Sequence, residues 1–513
     1  MTTKKITIKK NTYYDSVYLM GIFEKIKERD AIKSYQVLMA TDENKDILEL
    51  SGFDTGDATA DDLVIAIESD SDKEAEALLN DIEDYLNAPQ KSEDKTYSNL
   101  DTALKDNPDS NLAVISVPGK YAADEAEKAL NKGLNVFIFS DNVKAEDEAR
   151  IKKLGIEKNL LVMGPDAGVG SINGMALATG SKLKTGPIGI VAASGSGAQE
   201  VACLIDRYGP GTSQLIGTGG KDLSADIGGL SMSYSMDLLK GDPQTEVIVL
   251  VSKLADKDVM AEILSKADTI EKPVVAIFLG SGPSLYKDFP HITATYTLAD
   301  AAASAIEALK GKKPEKISQA EKDLDRIAQK EALKYKESQK YIRGLFMGGT
   351  FTEEALIILK ENTNTSLYSN ITSAFSLPIS EDTQGNILLD MGAEEFTLGR
   401  PHPVIDPVPR TEKFESEAKK DDVAVIILDF ILSYGVHPDP AGAITRQIEQ
   451  YMKKAEEESR HLTVIASVCG TEADPQKRSS QVQKLIQAGA IVTESNAHAA
   501  LLARKILKYI NRG

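Results

Sequence analysis

Three places in the chain set Gly beside Ser or Thr just where an apolar run gives way to an amphipathic one. In the first, Gly189-Ile190-Val191-Ala192-Ala193 leads into Ser194-Gly195-Ser196-Gly197, and Val201, Ala202, Leu204 and Ile205 then recur at helical spacing. A strand, turn and helix of this kind aims unpaired helix N–H groups at whatever lies above the sheet, and glycine removes the Cβ atoms that would stand in the way. Orphan donors and the helix dipole together favour an anion, so the pattern points to phosphate or carboxylate chemistry. Met347-Gly348-Gly349-Thr350 and Cys469-Gly470-Thr471 repeat the device between a strand pattern and a helix pattern. Helix starts from separate sheets are expected to converge on one anion, with 194–197 and 470–471 as the phosphate holders. The competing reading is ordinary capping of helix starts. Glu353, Glu354, Glu472 and Asp474 favour it for the second and third turns, because carboxylates there satisfy the dipole and repel a second anion.

Two proline-stiffened loops supply the other chemistry. In Gly399-Arg400-Pro401-His402-Pro403 and in Val436-His437-Pro438-Asp439-Pro440 the ring constraint fixes the backbone around an imidazole, in a chain with only five histidines. Arg400, His402 and His437 suit carboxylate or phosphate recognition and proton transfer. The structural alternative is a stiff crossover whose histidines bond to backbone. Gly219-Gly220-Lys221-Asp222 adds a cation on a glycine-rich connection, read either as an anion contact or as a surface loop. Cys203 falls in a helix as a core residue; Cys469 ends a strand, where a nucleophile would be reached, but no base is identifiable near it. No His, Cys, Asp and Glu set has metal-ligand spacing, so no metal is expected.

The elements that must position these residues follow from length and pattern. A chain of 513 residues corresponds to roughly three or four domains. With 42% hydrophobic and 27% charged residues it folds, and a net charge of −19 argues against nucleic acid or an anionic membrane as partner. No apolar run reaches bilayer length and the N-terminus leads into no signal-type core, which makes the cytoplasm the expected location. Residues 1–87 read as a small α+β domain, with strands around Ile6-Thr7-Ile8, Tyr35 to Met39 and Leu63 to Ile67 and helices at 16–27 and 72–86. Residues 108–180 read as a Rossmann-like βαβ block and 185–310 as a doubly wound domain with strands at 188–193, 215–217, 247–251 and 274–278. A lysine- and glutamate-rich helical linker, 311–342, is expected to be a solvated connector, and 343–513 closes the chain as another parallel block. The fold class is therefore α/β: several doubly wound parallel sheets, Rossmann-like and flavodoxin-like, plus a small N-terminal α+β domain.

At this point a family resemblance becomes visible. Ser116-Val117-Pro118 and Met163-Gly164-Pro165-Asp166 resemble the Rossmann region of the succinyl-CoA synthetase α subunit. Ser194-Gly195-Ser196 and Lys240-Gly241-Asp242-Pro243 resemble that subunit's following ligase domain, and the block from 343 is similar to the CoA-ligase domain of its β subunit. The fused order, with Gly348-Gly349-Thr350 and the two histidine–proline segments, resembles the FdrA proteins. The resemblance implies a subunit of an oxamate carbamoyltransferase of allantoin degradation, converting carbamoyl phosphate and oxamate into phosphate and oxalurate with companion subunits. It makes an acyl-CoA synthetase of the succinate–CoA ligase (ADP-forming) kind the first alternative and a non-catalytic subunit the second.

The chain also departs from the synthetase. The loop after the strand at 274–278, which carries the phosphorylated histidine there, reads Leu279-Gly280-Ser281-Gly282-Pro283-Ser284 and holds none. An ATP-grasp domain and the glycine-rich CoA turn are missing as well, so the sequence makes no firm case for a nucleotide or CoA and names no certain cofactor. Carbamoyl phosphate brings its own activated acyl group, so orientation and charge stabilisation suffice. On this reading Arg400 grips the oxamate carboxylate and His402 or His437 takes the amide proton.

Overall fold

Residues Val423–Ile431 form one strand buried from end to end, and Val247 to Val251 form another, so sheets covered on both faces are required. The computed structural model describes the chain apart from residues 1–2, 11, 13, 15–18, 20–30, 42–43, 46–47, 50, 88–95, 254, 362–365, 381–382, 398–399 and 511–513. It divides into two units, Met1–Asn99 with Thr397–Pro401, and Leu100–Phe396 with His402–Gly513.

In the N-terminal unit, β1 (Thr3–Lys9), β2 (Ile32–Met39) and β3 (Leu63–Ser69) pair antiparallel with β3 in the centre. Strand alternation sends Leu63, Ile65 and Ile67 to one face, where Ala75, Leu78 and Ile82 of the helix Asp72–Asn87 meet them. Val64 and Ala66 face the other way, onto Leu48 and Phe53. The helix expected at 16–27 lies outside the described residues, save for the buried Leu19.

The larger unit begins with a parallel sheet of β4 (Leu112–Ile115), β5 (Asn135–Ile138) and β6 (Val162–Met163). The hairpin of β7 (Val169–Ile172) and β8 (Met175–Ala178), read from sequence as part of that block, instead extends the next sheet through antiparallel pairing. That sheet also holds β9 (Thr185–Ala192), β10 (Thr212–Gly217), β11 (Val247–Lys253), β12 (Val274–Leu279) and β13 (Ile292–Ala294). Its order is β13-β12-β11-β9-β10-β7-β8. The remaining sheet contains β14 (Tyr341–Phe346), β15 (Leu367–Ser369), β16 (Leu377–Pro378), β17 (Asn386–Asp390), β18 (Val423–Ile431), β19 (Thr463–Cys469) and β20 (Ile491–Thr493). These run parallel in the order β16-β15-β17-β14-β18-β19-β20.

In both seven-stranded sheets the first parallel strand, β9 or β14, ends up inside the sheet with later strands on either side. The chain leaves it in one direction and returns in the other, which opens a crevice at its carboxyl end. The helix Gly195–Tyr208, which follows β9, is buried along its whole middle, including Gln199, Glu200 and Asp206, because it lies between the two sheets. One hydrophobic core runs from Val169 and Ile190 through this helix to Phe351, Ile427 and Ala503. The stretch 311–342 differs from its expected role as a solvated connector. Its helix Glu315–Ala332 buries Ile317, Leu324 and Ala328, and Asp325 takes bonds from Lys505 and Tyr509 of the last helix, Asn496–Ile510.

Candidate functional site

The first two glycine turns meet. Ser194 ends the loop after β9 in an extended conformation and caps the helix Gly195–Tyr208, its Oγ accepting the Gly197 N–H at 3.1 Å. The same Oγ lies 2.7 Å from Oγ1 of Thr350, at the start of the helix Gly349–Lys360. Close approach explains the glycines. A Cβ on Gly348 would sit 3.0 Å from the Ser196 Cβ, and one on Gly197 would sit 3.2 Å from Thr350 Cγ2. The N–H groups of Gly195 and Ser196 on one helix, and of Gly349 and Thr350 on the other, have no partner among the described residues. Gly195 is exposed, and Ser196 and Gly349 are half-buried, so the joint opens to solvent.

Charged groups surround this joint. Asp429, in mid-β18, accepts the N–H groups of Met347 and Gly348 at 2.8 and 3.1 Å, which holds the turn after β14 in place. Its carboxyl is fully buried, and burial pushes its pKa up to about 6 against the pull of the neighbouring Arg410, which burial pushes down to about 10. At the mouth of the second helix, a Cβ on Gly349 would lie 2.6 Å from Asp390 Oδ2 and 3.2 Å from Lys253 Nζ. Asp390 closes β17 and Lys253 closes β11. Asp390 Oδ1 accepts the Gly392 N–H at 2.9 Å, whereas the exposed Lys253 ammonium has no partner among the described residues. Burial raises the carboxyl pKa of Asp390, Glu353 and Asp166, and the Lys253 charge opposes that rise in all three. Asp166, Ser194, Gly195, Gly217 and Gly219 line a crevice of about 10 Å³, room for about one water. Lys221, on the expected glycine-rich connection, also acts on Asp166.

The third turn is not a helix start, which corrects the expectation for Gly470 and Thr471. Asp474 accepts the Thr471 N–H at 2.7 Å, the Thr471 hydroxyl donates to the Lys182 carbonyl at 2.8 Å, and the next helix begins only at Arg478. The Thr471 N–H is thus spent on a local bond, and its hydroxyl ties the turn to the other sheet's lobe. Cys469 is buried beside Cys203 and Glu200, with its thiol pushed up by burial, so it is no nucleophile.

The histidine loops lie side by side, joined by the His437 N–H donating to the Val404 carbonyl at 2.8 Å. Both imidazoles do the same backbone work. His402 Nδ1 accepts the Val404 N–H at 3.2 Å and His437 Nδ1 accepts the Asp439 N–H at 3.0 Å. In the neutral ring the proton then sits on Nε2, so neither imidazole is arranged to receive a proton. Burial lowers the His402 pKa to about 4. His402 Nε2 sits against Gly392, where a Cβ would collide with it, so of the two rings it is the one placed beside Asp390. Arg400 is exposed and its segment belongs to the N-terminal unit, not to the unit carrying the two turns. Sequence reasoning passes over Lys253, Asp390 and Asp429. The readable signal for each is a lone charge within or at the end of an apolar strand of a parallel sheet.

Residues 345–506 match the CoA-ligase family model, and residues 1–102 match a model described as AllF, heavy metal-associated domain. The chain is 42% identical over 510 residues, 98% of each chain, to the uncharacterized protein YahF of Escherichia coli (strain K12). It is 28% identical over 178 residues to the succinate–CoA ligase [ADP-forming] α subunit of Aquifex aeolicus, covering 33% of this chain and 56% of that one. It is 26% identical over 211 residues to the ADP-forming sulfoacetate-CoA ligase subunit SauD of Bilophila wadsworthia, 39% of this chain and 70% of that one. Despite the name of the N-terminal model, residues 1–102 contain no cysteine and no histidine, so neither a thiolate nor an imidazole ligand is offered there. Among the described residues no helix is long and apolar enough to cross a membrane.

Proposed function

The chain belongs to the FdrA family of the succinyl-CoA synthetase superfamily, and from that premise we propose that its larger unit holds an acyl phosphate at the joined helix starts, as a subunit of an oxamate carbamoyltransferase. The observation that carries this reading is the 2.7 Å contact between Ser194 and Thr350, which sets two helix N-termini side by side. Four N–H groups without a partner among the described residues lie at this joint with the Lys253 ammonium beside them, and on this reading their charge is available to a departing phosphate. Carbamoyl phosphate reacts there without a nucleotide. Its carbamoyl carbon is attacked by the oxamate nitrogen and inorganic phosphate leaves. His402, neutral with its proton on Nε2, fits a donor to the developing oxyanion. Companion subunits and a cytoplasmic setting belong to the same proposal.

A second reading, an ADP-forming acid–thiol ligase, is favoured by the CoA-ligase match over residues 345–506. Against it stands the loop Leu279 to Ser284, which offers no imidazole to carry phosphate between sites. The test is to purify the chain with its companion subunits and follow phosphate release. Oxamate-dependent release from carbamoyl phosphate, without nucleotide or CoA and lost in Lys253→Met, supports the first reading. Thioester formation driven by ATP and CoA supports the second. Activity that survives Ser196→Ala and Lys253→Met together makes this chain a non-catalytic subunit.

A further inference from the structure

We propose that Asp390 is the proton acceptor of this site, taking an N–H proton from an amide-type acceptor as its nitrogen attacks the acyl phosphate. The inference rests on the acyl-phosphate reading above and names the group that reading lacks, since both histidines have their Nδ1 engaged by backbone. Asp390 is aimed as well as placed. Its Oδ1 is fixed by the Gly392 N–H at 2.9 Å, and its backbone is pinned on both sides by Asn370, which donates to the Asp390 carbonyl and accepts its N–H, each at 2.9 Å. Oδ2 has no hydrogen-bond partner among the described residues and faces Gly349, the start of the second helix, beside Lys253 Nζ. The other carboxylates nearby are committed or unaimed. Glu353 accepts from Ser373, Glu354 accepts from Leu298 and Asn496 deep in the core, Asp429 holds the turn, and the Asp166 carboxylate has no hydrogen bond among the described residues to orient it.

The charged groups facing Asp390 are Lys253 from β11, Glu395 from the residues after β17, Glu353 through Lys253, and His402 across Gly392. Burial makes the Asp390 carboxylate a stronger base than a solvated one, and the Gly392 N–H and the Lys253 charge oppose that rise. In the step itself a C–N bond forms between the acceptor nitrogen and the carbamoyl carbon. The C–O bond to phosphate breaks with its electron pair leaving on the phosphate, and the N–H proton passes to Asp390 Oδ2 and on to the departing phosphate. No oxidant, metal or nucleotide is required. The acceptor class that fits is an amide or similar weakly nucleophilic N–H compound carrying a carboxylate, whose charge the Lys253 side of the joint attracts.

The experiment compares the complex containing Asp390→Asn with wild type in three measurements: binding of inorganic phosphate by calorimetry, kcat with carbamoyl phosphate and acceptor, and the pH profile of kcat/KM. The expected result is unchanged or tighter phosphate binding, kcat lower by about 10²–10⁴-fold, and partial recovery when formate is added as an external base. In wild type the acid limb lies above the ordinary carboxylate range, and Asp390→Glu keeps both the limb and part of the rate. Wild-type kcat in Asp390→Asn, or a wild-type profile with no acid limb, overturns the assignment of Asp390 while leaving the anion site intact. Failure of wild type to bind phosphate overturns the anion site itself, and this proposal with it. The wild-type profile decides the matter even where Asp390→Asn does not fold.

Discussion

Ser194 and Thr350 are separated by 156 positions in the chain and by 2.7 Å in space, and that contact turns two ordinary helix caps into one feature. Ser194→Ala removes both the Gly197 cap and the link to Thr350, so a stability loss of about 1 kcal/mol is expected from the cap alone, with weaker phosphate binding as the larger effect. Chemical denaturation and calorimetry separate the two, and unchanged phosphate affinity would argue against the joint. Asp429 supports the same turn from below. Asp429→Ala strands Arg410 in the core and is expected to cost about 3–5 kcal/mol, read as a lowered denaturation midpoint; a loss under 1 kcal/mol would mean that the pair is not holding the turn. For His402, the low pKa of about 4 and the Val404 N–H on Nδ1 place the proton on Nε2 throughout the neutral range. A nitrogen-detected NMR titration from pH 8 down to pH 5.5 is therefore expected to show no protonation of His402, and a midpoint near 6.5 would contradict this.

At the scale of elements, the helix Glu315–Ala332 shows how a charged segment becomes part of the core. Burial pushes the Glu331 carboxyl up, but His461, Lys334 and Thr463 hydrogen-bond it and hold it at about 2, below its ordinary 4.5. Its contribution to stability is complete above the unfolded value of 4.5 and is lost as pH falls from there through about 2. Wild type is thus expected to exceed Glu331→Gln in stability at neutral pH, with the gap closing on acidification below pH 4.5; a gap independent of pH would refute the linkage. The strands were legible because their apolar runs are uninterrupted, as in Val423 to Leu428, and the Ser194 cap was legible because small polar residues cut such a run. The partner of that cap was not, since strand and turn patterns are local while the Ser194–Thr350 approach is set by packing of two sheets. The Gly470-Thr471 turn misled for a local reason. Asp474, three residues on, captures the N–H that an anion was expected to use, and the dipole argument against carboxylates at this turn already pointed there. In 311–342 the helical spacing of Ile317 and Leu324 is readable, but the density of Lys and Glu favoured a solvated helix over the buried stripe that these two form with Ala328.

Across the whole molecule, the seven-stranded lobes behave as one body. The core that starts at Val169 ends at Leu507, and polar ties reinforce it: Ser181 and Gln199 donate to the Leu432 carbonyl, Lys182 to Asp474, and Asn496 to Glu200. Residues 343–513 expressed alone are therefore expected to be insoluble or molten, and the intact larger unit is expected to melt in a single calorimetric transition; two separate lobe transitions would contradict the shared core. The chain's excess of 19 negative charges leaves anion binding to local donors, which is why so much rests on the joint between the lobes. The most direct measurement is a crystal structure of the chain grown with inorganic phosphate. The account predicts phosphate within hydrogen-bonding distance of the N–H groups of Gly195 or Ser196 and of Gly349 or Thr350 together, with the Lys253 ammonium against it. Phosphate bound at one helix start alone, or elsewhere with the Ser194–Thr350 joint empty at saturating concentration, would contradict it.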